Sequence, residues 1–475
     1  MFALVLGMSL CATSMAGSTA PEQVHIALSG NDGNGNSNGM TVSWLTEDDT
    51  SASVVKYGYT SSQYESSASG LSASYYETFN HHVTLSDLDA DTWVYYVVGD
   101  ETGGFSTEYK FKTAPLSTNR DASFSFGVFA DLGSAHGDST LNYLTNTLSN
   151  EVDLIWHGGD VGYADDSFMH PGCLFKFCYE TAFNEYMNDI TTWSTRLPYM
   201  VAPGNHEAEC HDPSCLTSSD KRDKLSNFTA YNGRFHMPSD ESGGVLNMWY
   251  SFNYQNVHFI SIDTETGYPG AAEETRYVLP CGGFGNQMQW LEADLIAASA
   301  DRATRPWILV QGHHPLYNGD SVNADFQTAV EDLFYKYNVD VYFSGHVHSY
   351  ERDFPVYKSE LDAAGYNNPR ATTYIMIGGS GNDEMYLAEH GQSKEAENVK
   401  KFLKKYDPSP KEDGTDGKWN KVQGKTGPWT AEIDTDHFGI GKVTIADANE
   451  LHFEYIRTTT GEVFDTVTLV RDHTV

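Results

Sequence analysis

The sequence is poor in basic residues and in long apolar runs. It holds 29 lysines and arginines against 65 aspartates and glutamates, which gives a formal net charge of −36 at pH 7. A surface of that sign repels phosphate backbones and anionic lipids, so nucleic acids and membrane surfaces are unfavourable partners. Beyond the first residues, no apolar stretch is long enough to span a bilayer. No repeat of the solenoid or propeller kind is present either.

Residues 1–16 form an apolar segment that ends in Ser14-Met15-Ala16, a small-x-small pattern typical of signal peptidase sites. The segment lacks the basic residues that usually begin a signal peptide. We nevertheless expect cleavage after this pattern and an extracellular, acid-tolerant protein. Asn227-Phe228-Thr229 is the single N-glycosylation sequon, and we expect Asn227 to be glycosylated if the chain is secreted.

Cysteine is scarce, with six residues in the chain, one of which (Cys11) leaves with the predicted leader. The remaining five are Cys173, Cys178, Cys210, Cys215 and Cys281. Two pairs spaced by five suggest disulfides, although spacing does not fix the connectivity. Cys281 is then a free thiol or an intermolecular partner. A zinc ribbon fits poorly because the chain lacks Cys-x-x-Cys.

Five short motifs with good metal ligands lie between positions 131 and 348. They are Asp131-Leu132-Gly133, Gly159-Asp160-Val161-Gly162-Tyr163, Gly204-Asn205-His206-Glu207, Val310-Gln311-Gly312-His313 and Gly345-His346-Val347-His348. Each follows an apolar or β-branched run that predicts a buried strand, at 124–130, 152–156, 198–202, 307–310 and 339–343. Alone, each motif would be an ordinary turn. Together and in this order they predict a common site.

Helical spacing at 287–299 and 325–337 places helices between some of these strands, the alternation of an α/β domain. Ligands in such domains bind beyond the carboxyl ends of the strands. We therefore expect one edge of one sheet to gather all five motifs around two metal ions. This arrangement predicts a binuclear metallohydrolase.

The residue types at these positions form a mixed ligand set. Hard oxygen ligands come from Asp131, Asp160, Tyr163 and Asn205, and imidazoles suited to zinc, iron or manganese come from His313, His346 and His348. Asp160 is best placed to bridge two ions about 3.5–4 Å apart. Because they are two residues apart, His346 and His348 should point to the same side of an extended segment.

The five motifs resemble those of the purple acid phosphatases, a branch of the metallophosphoesterases, over nearly the whole mature chain. The resemblance implies a catalytic αββα sandwich with two mixed sheets, holding Fe(III) and a divalent zinc, manganese or iron ion. The ferric ligands would be Asp131, Tyr163 and His348, the divalent ligands Asn205, His313 and His346, and the bridge Asp160. Tyr163 is the residue that distinguishes this family from most other metallophosphoesterases, because charge transfer from the tyrosinate to Fe(III) gives the family its colour.

The resemblance also implies a mechanism, in which a hydroxide shared by the two ions attacks a phosphate monoester in line. His206 would stabilise the phosphate or protonate the leaving alkoxide, and Glu207 would orient a neighbouring ligand or water. Plant members carry further histidines after the fourth motif that this chain lacks, so His314 is the candidate for part of that substrate-binding role. Basic residues such as Arg196, Arg234 or Arg352 would help the metal ions to offset the acidic surface.

Residues 22–115 have a different pattern. Short strand-like runs at 24–28, 40–45, 53–59, 77–85, 93–98 and 109–113 alternate with turns, which predicts a β-sandwich. It resembles the fibronectin type III-like domain that the larger purple acid phosphatases carry. We expect a linker at 115–121 and a catalytic domain at 121–475, with a surface excursion at 389–427 and further strands within 439–475.

Three alternatives stay open at this stage. The same scaffold and metals serve a phytase or a phosphodiesterase, whose pockets differ in shape. A third reading is a non-catalytic cell-surface binding protein with a vestigial phosphatase domain. The physiological substrate and the oligomeric state are not encoded in any motif.

Overall fold

The computed structural model describes residues 18–116, 119–167, 173, 176–208, 210, 212–271, 282–382 and 425–473. The predicted leader, Cys281 and nearly all of the predicted 389–427 excursion lie outside these residues. In the part of the chain so described, no helix is both long and apolar enough to cross a membrane.

The N-terminal region is a sandwich of two antiparallel sheets. Its strands are β1 Glu22–Leu28, β2 Met40–Thr46, β3 Val54–Gly58, β4 Ser66–Ser69, β5 Leu71–Tyr75, β6 Thr78–Leu85, β7 Trp93–Asp100, β8 Gly104–Phe105 and β9 Tyr109–Lys112. One sheet has the order β1-β2-β6-β5, and the other has β4-β3-β7-β8 with β9 also on β7. Sequence patterning missed β4, β5 and β8, because these are short, Ser- or Gly-containing strands that are largely exposed.

The sandwich packs directly on the rest of the protein, and its core is continuous with the larger one. Ile26 forms an isolated parallel bridge with Pro198. The Tyr96 hydroxyl donates to the Thr195 carbonyl at 2.7 Å. These contacts fix the sandwich beside Tyr199–Val201, the strand that precedes the third motif.

Two larger sheets make up the remainder. Their strands and the short pairs around them are β10 Phe124–Phe129, β11 Leu132–Gly133, β12 Leu154–His157, β13 Val161–Gly162, β14 Tyr199–Val201, β15 Tyr250–Tyr254, β16 Val257–Ser261, β17 Trp307–Gln311, β18 Tyr317–Asn318, β19 Ser321–Val322, β20 Val341–Ser344, β21 Tyr350–Asp353, β22 Val356–Tyr357, β23 Glu360–Leu361, β24 Thr373–Ile377, β25 Thr430–Asp434, β26 Gly439–Ile445, β27 Glu450–Arg457 and β28 Glu462–Val470. The first sheet runs β14-β12-β10-β26-β27-β28, and the second runs β15-β16-β17-β20-β24-β21-β25.

Both sheets are mixed. In the first sheet β10, β12 and β14 are parallel, whereas β26 to β28 are antiparallel. In the second sheet β16, β17, β20 and β24 are parallel. The expectation of one sheet gathering all five motifs is therefore wrong, because the first three motifs follow strands of the first sheet and the last two follow strands of the second. The two mixed sheets that the family resemblance implied are present.

Ten α-helices accompany the sheets in the described residues. They are α1 Asp138–Asn146, α2 Tyr179–Ser194, α3 Asn205–Ala208, α4 Pro213–Thr217, α5 Ser219–Leu225, α6 Thr229–Arg234, α7 Ser239–Ser242, α8 Gln287–Ala300, α9 Ala324–Phe326 and α10 Asp332–Tyr337. The helix predicted at 325–337 is divided, since a π-helical segment, Gln327–Glu331, separates α9 from α10. Leu291 of α8 and Phe334 of α10 are fully buried in the core that also holds Ile308 of β17.

Aromatic side chains fill the space between the two sheets. Phe126 of the first sheet lies edge-on to Phe259 of the second, with ring centroids 5.2 Å apart. Trp156 does the same to Phe343 at 6.1 Å, and its indole N–H donates to the Ser261 hydroxyl at 3.0 Å. Such pairs stabilise a fixed arrangement of the sheets, so the loops at their edges are held in register.

The two disulfides that the cysteine spacing suggested are present. Cys173 pairs with Cys178, with Cα atoms 5.9 Å apart, and Cys210 pairs with Cys215 at 6.3 Å. They lie in the loops that follow the second and third motifs.

Candidate active site

The seven predicted ligands meet where the two sheets face each other. Asp131, Asp160 and Asn205 come directly after β10 or in the loops after β12 and β14, and His313 and His346 follow β17 and β20. All five are at least 96 % buried. The neighbouring carboxyl ends of parallel strands thus build one enclosed site from two sheets.

Four of the site residues adopt a left-handed backbone. They are Asp131 (φ 61°), Asp160 (φ 55°), Tyr163 (φ 50°) and His346 (φ 68°). Each such residue costs on the order of 1–3 kcal/mol and persists only where the surrounding structure enforces it, typically at functional sites. The expectation of an extended segment with His346 and His348 on one side is wrong, because the chain bends at His346. The two rings reach the site from different directions.

Glycines precede several ligands because no side chain fits there. A Cβ on Gly204 would overlap Asp160 Oδ1, and a Cβ on Gly345 would overlap Asp131 Oδ2. Glycine therefore lets the third and fifth motifs approach the carboxylates of the first and second.

One cluster in the site consists of Asp131, Tyr163 and His348. The Tyr163 hydroxyl lies 3.1 Å from Asp131 Oδ1 and 3.0 Å from His348 Nε2. Asp131 Oδ1 and His348 Nε2 are 3.2 Å apart. Burial, followed by the charges of Asp131 and Asp160, raises the pKa of Tyr163 well above its usual value. A nearby cation would reverse this effect and favour the phenolate.

A second cluster consists of Asn205, His313 and His346. Asn205 Oδ1 lies 3.1 Å from His313 Nε2 and 2.9 Å from His346 Nδ1. His313 Nδ1 lies 3.1 Å from the Gly158 carbonyl oxygen, which only accepts, so this nitrogen carries the proton of a neutral ring. When the ring is neutral, His313 Nε2 presents a lone pair toward the lone pairs of Asn205 Oδ1.

Asp160 stands between the two clusters. Its Oδ2 lies 3.1 Å from His313 Nε2 and 3.3 Å from the Tyr163 hydroxyl. Its Oδ1 accepts the backbone N–H of His206 at 3.0 Å, which holds the carboxylate in place. The geometry therefore gives Asp160 one oxygen that faces both clusters.

The arrangement of carboxylates and lone pairs in the site favours a bound cation. Ligand atoms of Asp131, Asp160 and His313 all lie within 4.8 Å of one another. Although burial disfavours an imidazolium, the carboxylates of Asp160 and Asp131 raise the pKa of His313 to about 10. His346 Nε2 is buried without a hydrogen-bond partner among the described residues. Converging lone pairs from carboxylate, carboxamide and imidazole groups fit metal ions between them.

Glu207 contacts the backbone of the two neighbouring loops. Its carboxylate accepts the backbone N–H groups of Asp160 (2.9 Å), Val161 (2.8 Å) and Gly204 (2.7 Å). It therefore ties the loop of the second motif to the loop of the third and holds the backbone of Asp160, so its contact with a neighbouring ligand residue runs through the main chain. Burial and Asp160 raise the pKa of Glu207 well above its usual range.

His206 pairs with two carboxylates that sequence reasoning missed. Its Nδ1 lies 2.9 Å from Asp165 Oδ2 and 3.6 Å from Asp166 Oδ2. Its Nε2 points toward the site, 3.9 Å from Asp160 Oδ2. Although burial disfavours the cation, Asp165 and Asp160 raise the pKa of His206 well above its usual value. The only signal in the sequence was the position of Asp165, five residues after Asp160.

His314 lies at the edge of the second cluster. Its ring centroid is 3.9 Å from that of His346, and its Nε2 is 3.1 Å from Glu265 Oε2. Its backbone N–H donates to the Thr264 hydroxyl at 2.9 Å. The structure thus brings His314 to the site, together with Glu265, which no sequence pattern indicated.

The three arginines expected to offset the acidic surface are committed elsewhere. Arg196 donates to the Ser149 carbonyl at 2.7 Å, Arg234 to Glu180 at 2.8 Å, and Arg352 to Asp465 at 2.6 Å. Arg234 is also fully buried under the N-terminal sandwich. The expectation that these three arginines offset the acidic surface at the site is therefore wrong.

Comparison with known families agrees with this geometry. Residues 124–350 match the calcineurin-like phosphoesterases, residues 21–113 the N-terminal domain of purple acid phosphatases, and residues 412–466 the C-terminal domain of iron/zinc purple acid phosphatase-like proteins. These matches confirm the prediction of a metallophosphoesterase enzyme.

Similar proteins span several kingdoms. Acid phosphatase A of Cryphonectria parasitica is 30 % identical, with 96 % of this chain and 93 % of that protein aligned. Probable purple acid phosphatase 20 of Arabidopsis thaliana is 33 % identical, with 77 % and 75 % aligned. The fold is similar to that of purple acid phosphatase PPD1 from yellow lupin seeds, with a TM-score of 0.69 at 20 % identity over 96 % of this chain and 75 % of that one. The chain belongs to the purple acid phosphatase family.

Proposed function

We propose that this protein is a secreted acid phosphatase that hydrolyses phosphate monoesters at a binuclear Fe(III)–M(II) centre, where M is zinc, manganese or iron. The observation that carries the proposal is the placement of Asp160, whose Oδ2 faces Tyr163 on one side and His313 on the other. A carboxylate between two ligand clusters is suited to bridging two ions.

The two clusters divide the ligands in the proposal. Asp131, Tyr163 and His348 would hold the ferric ion, Asn205, His313 and His346 the divalent ion, and Asp160 would bridge them. The bound ions would lower the pKa of a shared water and neutralise the phosphoryl oxygens of the substrate. Chain residues supply the rest of the chemistry.

His206 is the proposed acid. With Nδ1 held by Asp165, its Nε2–H faces the site and can donate to a phosphoryl oxygen or to the leaving alkoxide. Burial disfavours the imidazolium, whereas the carboxylates of Asp165 and Asp160 raise the pKa of His206 well above its usual value. His314, whose ring is tilted by 45° against that of His346, borders the divalent side and is the proposed second contact to the substrate.

Secretion is supported by two features of the described residues. The disulfides Cys173–Cys178 and Cys210–Cys215 are typical of oxidising compartments. Asn227 of the sequon is exposed, as a glycosylation acceptor must be.

The test is kcat/KM for 4-nitrophenyl phosphate, bis(4-nitrophenyl) phosphate and phytate, measured side by side at acidic pH on protein of known metal content. We expect the monoester to be hydrolysed well above the diester. A faster diester would make the protein a phosphodiesterase, and a faster phytate would make it a phytase. No turnover with both metals bound would favour the non-catalytic binding protein.

The ferric assignment has its own test in Tyr163→Phe. Since the phenolate tunes the ferric ion but does not attack phosphorus, we expect the visible absorption band to vanish while much of the hydrolysis remains. Absorbance spectra of metal-loaded wild type and variant decide this, with Tyr143→Phe as an outlying control. A full absorption band in Tyr163→Phe would remove Tyr163 from the ligand set.

A further inference from the structure

A cavity of about 470 Å³ lies at the end of the second sheet opposite the candidate active site. It is bordered by the residues after α8, the last turn of α10 and the tail after β28. Asp340, in its wall, directly precedes β20, whereas His346 follows that strand. The two sites are thus separated by at least the length of the four-residue strand β20, roughly 13 Å at about 3.3 Å per residue.

The charge of this cavity is opposite to that of the protein. Among its lining side chains, Arg302, Lys336, Arg370 and Arg471 are cationic, while Asp340 and Asp472 are carboxylates. Elsewhere acidic residues dominate, because the whole chain has 65 acidic and 29 basic residues. A concave region of one sign concentrates ions of the other sign.

The floor of the cavity is two arginines that share one carboxylate. Arg302 Nη1 lies 3.2 Å from Asp340 Oδ2, and Arg471 Nε lies 3.0 Å from Asp340 Oδ1. Both arginines are at least 93 % buried. Burial, and the like charges of Arg302 and Arg370, lower the pKa of Arg471 in spite of Asp340 and Asp362. The guanidinium N–H groups also donate to backbone carbonyls, those of Arg302 to Pro306, Tyr337 and Asn338 and those of Arg471 to Pro369, Val339 and Ala371. The floor therefore contributes positive charge to the cavity, and direct hydrogen bonds to a ligand fall to the rim.

The rim adds two exposed cations. Lys336 pairs at 2.9 Å with Glu292, which is outside the lining, and its side chain is 59 % exposed. Arg370 is exposed, and its guanidinium lies 4.9 Å from the centroid of the Tyr335 ring. The Tyr335 ring holds the planar Arg370 guanidinium, with its N–H donors, at the mouth of the cavity. This arrangement suits bidentate binding of oxyanions.

We propose that this cavity binds a small multivalent oxyanion, a molecule that carries several phosphate groups, at a place separate from the metal-ligand edge. The volume falls within the range of about 300–1,000 Å³ found for small-molecule sites. Arg302 and Arg471 supply the fixed positive floor, and Lys336 and Arg370 close on the ligand from the rim.

The probe is myo-inositol hexasulfate, whose sulfate esters mimic the charge of a polyphosphate without being a phosphate ester. Binding is measured by titration calorimetry at low ionic strength to three metal-loaded proteins: wild type, Lys336→Gln/Arg370→Gln, and the control Lys112→Gln/Arg222→Gln. The control removes the same charge from two exposed, ion-paired residues in other parts of the fold.

We expect wild type and control to bind the probe alike, and the rim variant to bind one equivalent at least tenfold more weakly. Binding of the probe at the metal centre would contribute equally to the titrations of all three proteins, so it would not change the difference between them. Equal binding by the rim variant and wild type, or no binding to wild type, would overturn the proposal. Since the measurement needs no turnover, failure of the proposed phosphatase activity would leave its outcome unaffected.

Discussion

The two sheets supply chemically different halves of the candidate site. Loops of the first sheet contribute the proposed oxygen ligands Asp131, Asp160, Tyr163 and Asn205, and loops of the second sheet contribute the proposed imidazole ligands His313, His346 and His348. Neither half holds the whole of the proposed ligand set. The candidate site therefore depends on how the two sheets pack, because the lone pairs of the oxygen groups and of the imidazoles converge only at the common edge of the sheets.

Two histidines on the side of the first sheet lie outside the proposed ligand set. His206 Nδ1 lies against Asp165, and His157 Nδ1 lies 2.6 Å from the Tyr199 hydroxyl. Both rings are buried. What faces an imidazole, rather than its burial, therefore separates the proposed ligands from the other histidines.

The largest expected effect comes from the residue that joins the halves. Asp160→Asn removes the charge that faces both clusters, so we expect kcat/KM to fall about a thousandfold or more. That exceeds the roughly 10- to 100-fold loss typical when an outer partner of a metal ligand is removed. Steady-state kinetics and metal analysis of the purified variant measure it.

The matched control is Asp153→Asn, which changes an exposed carboxylate at the other end of the same strand, β12. We expect it to retain wild-type kinetics and both metals. Wild-type turnover in Asp160→Asn would contradict the proposal, because this carboxylate would then not link the side chains of the first sheet to those of the second.

Adjacent histidines of the second sheet give the next test. His313 Nε2 faces Asp160 and Asn205, whereas His314 Nε2 faces Glu265. We expect His313→Ala to lose one metal equivalent and on the order of a hundredfold or more in kcat/KM. His314→Ala should keep both metals and mainly raise KM. Metal loss in His314→Ala but not in His313→Ala would reverse the assignment.

Much of the framework could be predicted from the sequence. Short apolar runs correctly located β10, β12, β14, β17 and β20, because buried strands leave a local signature. Glycine and a ligand after each run indicated the site itself. Helix α8 was also placed within a residue of its observed ends, Gln287–Ala300.

Other features depend on contacts that local patterns do not encode. The division into two sheets follows from long-range pairing, such as that of β10 with β26. Asp165 and Glu265 reach His206 and His314 through loop conformations, so no spacing revealed them. The π segment Gln327–Glu331 interrupts a helix whose apolar periodicity looked continuous. The ligand roles themselves stay predictions until variants are measured.

A smaller effect is expected at His206, the proposed acid on the side of the first sheet. Asp165→Asn leaves a partner at His206 Nδ1 but removes its charge, so we expect kcat to fall about 10- to 100-fold with both metals retained. Asp166, at 3.6 Å, supplies the matched variant Asp166→Asn, for which a weaker effect is expected. Loss of metal in Asp165→Asn would place His206 among the ligands.

The smallest effect on activity is expected at His157, which sharpens the contrast with His313. Burial lowers the pKa of His157 to about 3, so the ring is neutral in the folded protein, whereas an unfolded histidine titrates near 6.5. Below that value the unfolded state binds more protons, and His157 costs about 1.4 kcal/mol of stability per pH unit until its folded pKa is reached.

His157→Gln, which removes this proton uptake, should keep both metals and nearly full turnover. Urea unfolding at pH 7 and pH 5 should show wild type losing about 2 kcal/mol more than the variant over that interval. Equal losses would mean that His157 is not held neutral, and the two sheets would then not differ in how they treat a buried imidazole.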